Sequence, residues 1–110
     1  MNKTQEFIKL VQENPDLPIV PMVYGEIVDG DHYSYWMGSF CGCEITEYVC
    51  FEGYQGDRFY TRDEQDEIEE YFANSEVLVD LSDEEAFRIA HEQAEALDWE
   101  KAIVVWIGTP

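Results

Sequence analysis

The sequence predicts an α+β domain: a chiefly antiparallel sheet with two main helices packed on it. Three observations carry that expectation. Segments with strand-type alternation, rich in aromatic and β-branched residues, gather between residues 32 and 60. Two segments with helix-start signals follow between residues 61 and 97, and a run apolar on both faces occupies residues 101–108. Strands grouped before helices, rather than alternating with them, favour α+β over a parallel α/β sheet. The length of 110 residues suits a single domain, residues 1–110, with one hydrophobic core. A hydrophobic fraction of 45%, with 15% aromatics, separates the chain from disordered ones, which lack the apolar side chains to fold.

The elements follow in order. From Thr4 to Asn14, Phe7, Ile8, Leu10 and Val11 recur at the three- and four-residue spacing of a short N-terminal helix, which Pro15 ends. Residues 16–28, "DLPIVPMVYGEIV", are extended; Pro18 and Pro21 cannot donate ladder hydrogen bonds, so this is an edge strand or an irregular arm. Asp29-Gly30-Asp31 is a turn signal. Residues 32–40 then read as a strand with Tyr33, Tyr35 and Met37 on one face and Trp36 and Phe40 on the other, and residues 44–52 as a second strand. The intervening Cys41-Gly42-Cys43 reads as a three-residue connection, giving a hairpin over 32–52. "GYQG" at 53–56 turns again before a short strand at 58–60. Thr61 with Glu64 has the spacing of a capping box and starts a helix over 62–74, with Ile68, Tyr71 and Phe72 as its apolar stripe. Ser82 with Glu85 repeats the signal for a helix over 83–97, whose inner face is read as Ala86, Phe87, Ala90, Ala94 and Leu97. "KAIVVWIG" at 101–108, apolar on both faces, predicts a central strand.

Charge narrows the function. The chain carries 25 acids against six lysines and arginines, a net charge of −19, where a soluble small domain needs a magnitude of only ~2–8. Direct nucleic-acid binding is excluded, since phosphate neutralisation requires a basic surface; a basic protein is the natural complement. Residues 61–100 hold 15 carboxylates against Arg62 and Arg88, a local balance of −13. Asp63, Asp66, Glu67 and Glu70 stand at i, i+3, i+4 and i+7, one face of a helix. Their Cβ atoms are expected ~5–6 Å apart, a row resembling a phosphate backbone to a basic groove. Glu84, Glu92 and Glu95 extend the candidate binding set onto the second helix. Glu92 and Glu95 lie late in that helix, where negative charge opposes the macrodipole, so helix stability does not account for them. The plainer reading is an ordinary solvated charged face, with first-turn acids complementing the dipole.

Candidate chemistry is sparse. Cys41, Cys43, Cys50 and His32 offer four zinc-type donors, but a C-x-C followed by one distant cysteine is not a zinc spacing, and reduced thiols packed as small apolar groups are expected instead. Asp29 and Asp31 lack the rest of a calcium loop. Nucleophile-elbow, phosphate-loop and dinucleotide fingerprints are missing from the sequence, and His91, between Ala90 and Glu92, reads as a surface or partly buried histidine. A non-enzymatic protein without metal or cofactor is expected. The charged, amphipathic Met1–Val11 does not read as a signal peptide, and no apolar run reaches the ~20 residues of a membrane span. A cytoplasmic setting, without membrane partners, is the expectation. Tyr33, Tyr35 and Trp36, on both faces of the first aromatic strand, form an alternative patch for a partner or a second copy.

The stretches "LPIVPMV" (17–23), "YWMGSF" (35–40) and "WEKAIVVWIGTP" (99–110) resemble small acidic proteins encoded by phages, prophages and mobile elements of Firmicutes, over most of the chain. That family has no assigned activity, so no functional residue carries over. The resemblance implies a setting in the host cell, where small acidic phage proteins act on nucleic-acid-binding proteins as anti-restriction and anti-CRISPR inhibitors do. The expectation is an acidic binding protein, an inhibitor or nucleic-acid mimic directed at a basic host protein. The alternative is an aromatic-patch interaction or homo-oligomerisation module whose charge serves solubility.

Overall fold

The computed structural model describes residues 1–27, 35–54 and 56–110. Among them are three α-helices, α1 (Lys3–Glu13), α2 (Gln65–Ala73) and α3 (Asp83–Glu95), and four strands, β1 (Ile19–Val23), β2 (Ser39–Gly53), β3 (Gly56–Thr61) and β4 (Glu100–Gly108). The class is α+β, with a mixed, mostly antiparallel sheet in the order β1-β4-β2-β3. β1 runs parallel to β4, from Ile19 opposite Ile103 to Val23 opposite Ile107. β2 and β3 are antiparallel, from Tyr48 opposite Thr61 to Gly53 opposite Gly56. β4 is an internal strand and Ala102, Ile103 and Val104 are fully buried, which explains why its sequence is apolar on both faces. β1 lies at the edge, where the missing N–H of Pro21 interrupts the least.

One expectation is corrected. The hairpin does not span 32–52 with a turn at Cys41–Cys43; β2 passes through those residues as one strand of 15 residues. Gly42 makes this passage at φ +139°, a conformation glycine adopts without strain and other residues rarely do. The glycine therefore keeps the strand running instead of turning it. The hairpin is β2–β3, and its turn uses Gly56 at φ +77°. Tyr35 to Gly38 lie outside any strand, while the turn at Asp29–Asp31, together with His32 and Tyr33, lies outside the described residues. The helix expected over 62–74 opens with a separate 3-10 turn, Arg62–Glu64. Helix α3 ends at Glu95 rather than residue 97, and Phe87 is 52% exposed, so the inner face is the smaller set Ala86, Ala90 and Ala94.

The chain divides into two compact units, residues 1–46 with 101–110, and residues 47–100. In the first, α1 is closed by a reciprocal cap: the Asn2 side chain accepts from the Gln5 N–H at 2.9 Å, and the Gln5 side chain accepts from the Asn2 N–H at 3.0 Å. Phe7 packs against Phe40 with ring centroids 5.8 Å apart, and Tyr24 stacks on Trp106 at 6.0 Å.

In the second unit, Val49, Tyr60, Ile68 and Ala94 form one buried cluster, with Phe51, Phe72, Leu97 and Trp99 against it. Ala73, Leu78, Ala86 and Ala90 form another. Ile68 meets Ala94 near the start of α2 and the end of α3, while Ala73 meets Ala86 and Ala90 at the other end. The two helices are therefore antiparallel. Alanine at every fourth position of α3 leaves room for α2 to lie close. The Ser82 hydroxyl caps α3 by accepting from the Glu85 N–H at 3.3 Å. Ser82→Ala is expected to lower stability by about 1 kcal/mol in chemical denaturation, and Ser75→Ala to leave it unchanged. Equal losses at the two positions would remove Ser82 from the capping role.

Candidate functional site: the acidic helix pair

The site is assembled within residues 47–100. β3 delivers the chain to Thr61, whose N–H donates to Glu64 Oε1 at 3.3 Å, and the 3-10 turn then leads into α2. Ile68, 1% exposed, fixes which face of α2 is buried, with Gln65 and Ala73 beside it. Asp66, Glu67 and Glu70 consequently face outward on α2, and Asp63 is exposed on the preceding turn. The expected four-residue row is thus three residues on the helix plus one on a tighter turn. Glu84, Glu92 and Glu95 are exposed on α3, Glu84 at its start and Glu95 at its last residue.

Three arginines organise these carboxylates, and the sequence reading did not foresee it. Arg58, on β3, pairs with Glu64 and, at 3.1 Å, with Glu67, and its guanidinium lies 4.2 Å from the Tyr60 ring centre. Arg62 binds Glu47 at 3.0 Å, the Gln65 side-chain oxygen at 2.8 Å and Glu95 at 3.4 Å, and stacks 4.1 Å from the Trp99 ring centre. Arg88 pairs with Glu92 at 3.1 Å along α3. His91 places Nδ1 2.9 Å from Glu69 and Nε2 4.0 Å from Glu95. The signal for this was present: Arg58, Arg62 and Arg88 are the only lysines or arginines in 47–100, so each was bound to be surrounded by acids.

These pairs sort the candidate residues. Glu67, Glu92 and Glu95 are committed to arginines, whereas Asp63, Asp66, Glu70 and Glu84 make no ion pair among the described residues. Glu95 is the most constrained. The hydrogen bond donated by Gln65 Nε2 at 2.8 Å, aided by Arg62 and His91 and opposed by partial desolvation, holds its carboxyl below the ordinary carboxylate range. Elsewhere in this unit, Tyr48 is raised above its usual value, first because its hydroxyl donates to the Glu100 carboxylate.

Beside this face lies an open cleft of about 290 Å³, walled by Tyr54, Tyr60 and Tyr71, with Arg58, Glu67 and Glu70 at its polar side. Tyr54 and Tyr71 meet edge to face with centroids 4.9 Å apart, and Tyr71 meets Phe51 likewise at 5.3 Å.

The other candidates fall in the first unit or across β2. Cys41 and Cys50 are exposed and Cys43 is half-buried, so the first two do not serve as packed apolar groups, contrary to expectation. Burial, followed by the nearby Glu6, raises the Cys43 thiol. Among the described residues no group of three His, Cys, Asp or Glu side chains is arranged to hold a metal. Tyr35 is 87% exposed, Trp36 is half-buried, and Phe40 turns inward onto Phe7. Among the described residues no helix is long and apolar enough to cross a membrane. Neither models of known families, nor curated proteins, nor solved structures match this chain.

Proposed function

We propose that this is a non-enzymatic acidic binding protein whose α2–α3 face engages a basic, nucleic-acid-binding protein and so acts as an inhibitor by nucleic-acid mimicry. One observation carries the reading. The cations of residues 47–100 are consumed by internal carboxylates, while Asp63, Asp66, Glu70 and Glu84 stay outward without an ion pair among the described residues. Such a face offers fixed negative charge to a basic groove and displaces counterions as a phosphate backbone does. The resemblance to small acidic phage and mobile-element proteins supports a host protein as the partner and the host cytoplasm as the place.

The test is competition between this protein and labelled duplex DNA for a purified bacterial nucleoid protein. Wild type is expected to displace the DNA, less well as salt rises. The combined variant Asp63→Asn, Asp66→Asn, Glu70→Gln is expected to compete weakly, with a logarithmic salt slope shallower by roughly two to three. Its own stability at low salt should hold or rise, because repulsion is relieved and no arginine loses a partner. Full competition by the variant would overturn the reading. A second reading, self-association through an aromatic patch, is favoured by the exposure of Tyr35 and Met37; it predicts a dimer in analytical ultracentrifugation that Tyr35→Ser with Met37→Ser abolishes.

A further inference from the structure

We infer that the cleft beside α2 is a receptor for a single arginine side chain of the protein partner, seated against Tyr54 and Tyr71 with its guanidinium on Glu70. The inference deepens the proposed function and rests on it for the partner's class. A guanidinium is bound by stacking on aromatic faces together with planar, bidentate pairing to a carboxylate. Both chemistries converge here. Tyr54 is 70% exposed, an unusual state for a ring that already packs on Tyr71, and it presents open aromatic surface to the cleft. Glu70 lines the same cleft and has no ion-pair partner among the described residues.

The chain itself demonstrates the binding mode. Arg58, which also lines the cleft, is held by the Tyr60 ring at 4.2 Å and by Glu67 at 3.1 Å. Tyr71 and Tyr54 with Glu70 repeat that combination of ring and carboxylate, one helical step along α2. Glu67 and Glu70, three residues apart, project from the same side of the helix. The volume of about 290 Å³ sits at the lower limit of ligand pockets, ~300 Å³, and suits one side chain rather than a larger molecule. Lysine fits less well, because its compact, strongly hydrated ammonium cannot stack and pair at once.

The experiment titrates the intact protein, followed by amide NMR, with N-acetyl-arginine amide and with its neutral isostere N-acetyl-citrulline amide. Shifts are expected at Tyr54, Tyr60, Glu70 and Tyr71 with the arginine probe and not with citrulline. Tyr54→Ala, at an exposed position where folding is not at stake, should weaken the arginine probe roughly threefold or more, and Glu84→Gln, remote from the cleft, should not. Equal response to citrulline, shifts spread evenly over the acidic face, or an unchanged affinity in Tyr54→Ala would overturn the proposal. The two readings fail separately. If Tyr54→Ala keeps the arginine probe while the Asp63, Asp66, Glu70 variant loses competition with DNA, the cleft is refuted and the acidic face stands. If the probe binds the cleft but competition with DNA is unaffected by neutralising the face, the arginine site stands without that partner.

Discussion

Ile68→Ala is expected to lower stability by about 3 kcal/mol. Burying Ile68 removes its whole side chain from water, and its truncation also leaves a void, so the cost is a transfer term plus a cavity term within the usual ~2–5 kcal/mol. The site cannot collapse to fill the void. Across from it stand Ala94, too short to reach in, and Val49 and Tyr60, both fixed in the β2–β3 ladder. Against a typical total of ~5–15 kcal/mol, and with a net charge of −19 working against compaction, that loss takes a large share of what holds the fold. Urea denaturation measures it, with Ile8→Ala on the half-exposed face of α1 as the comparison. A midpoint shift at Ile68 no larger than at Ile8 would remove Ile68 from the core.

Arg62→Ala should cost about 2 kcal/mol, more than an exposed ion pair contributes, because one guanidinium serves Glu47, Gln65 and Glu95 and covers Trp99. Truncation takes the arginine from Glu47, leaves Glu95 with only His91 as an ion-pair partner among the described residues, and leaves the buried Gln65 oxygen short of a donor. Arg62→Lys should recover only part, since one ammonium cannot reach three acceptors while stacking on the indole. The loss carries a pH signature. Glu95 titrates below the ordinary carboxylate range in the fold, chiefly through Gln65 and then through Arg62 and His91. A depressed folded-state value stabilises at neutral pH, and that contribution disappears as pH falls through the depressed value. The gap between wild type and Arg62→Ala should therefore narrow from pH 7 toward acid. A gap constant with pH would mean that Arg62 does not act through Glu95.

Much of this architecture was legible because its signals are local. Thr61 with Glu64 and Ser82 with Glu85 mark helix starts within one turn of chain; α3 begins directly after Ser82, while after Thr61 a 3-10 turn comes first and α2 begins at Gln65. The double-sided apolar run of β4 announced an internal strand, and Pro21 an edge. What failed was nonlocal or ambiguous. Gly42 between two cysteines looks like a turn from composition alone, yet the same freedom of φ that builds a turn lets an extended strand pass. Phe87 obeys the helical period but stands exposed, because Ala86 and Ala90 already meet α2 and a large ring would hold the helices apart. The candidate acids Asp63, Asp66, Glu67, Glu70, Glu84, Glu92 and Glu95 are exposed, whereas Glu47, Glu64 and Glu69 are half-buried. Their division into paired and unpaired sets was only partly legible: Arg88 and Glu92 stand one helical turn apart, but Arg62 reaches Glu95 only after the chain has turned between α2 and α3. The tyrosine cleft was hidden for the same reason, joining the β2–β3 turn to α2.

The parallel register of β1 against β4 imposes an order on biosynthesis. Residues 47–100 are contiguous, so the β2–β3 ladder and the antiparallel helix pair use only partners already present once residue 100 has been added. β1 is made early but pairs with Ile103 to Ile107, nearly the whole chain later. Until those residues emerge from the ribosome, Ile19 to Val23 waits as an unpaired apolar segment, and closing so long a loop is slow once its partner arrives. Pro18 and Pro21, which make the segment a poor template for the wrong strand, guard the nascent chain during that interval.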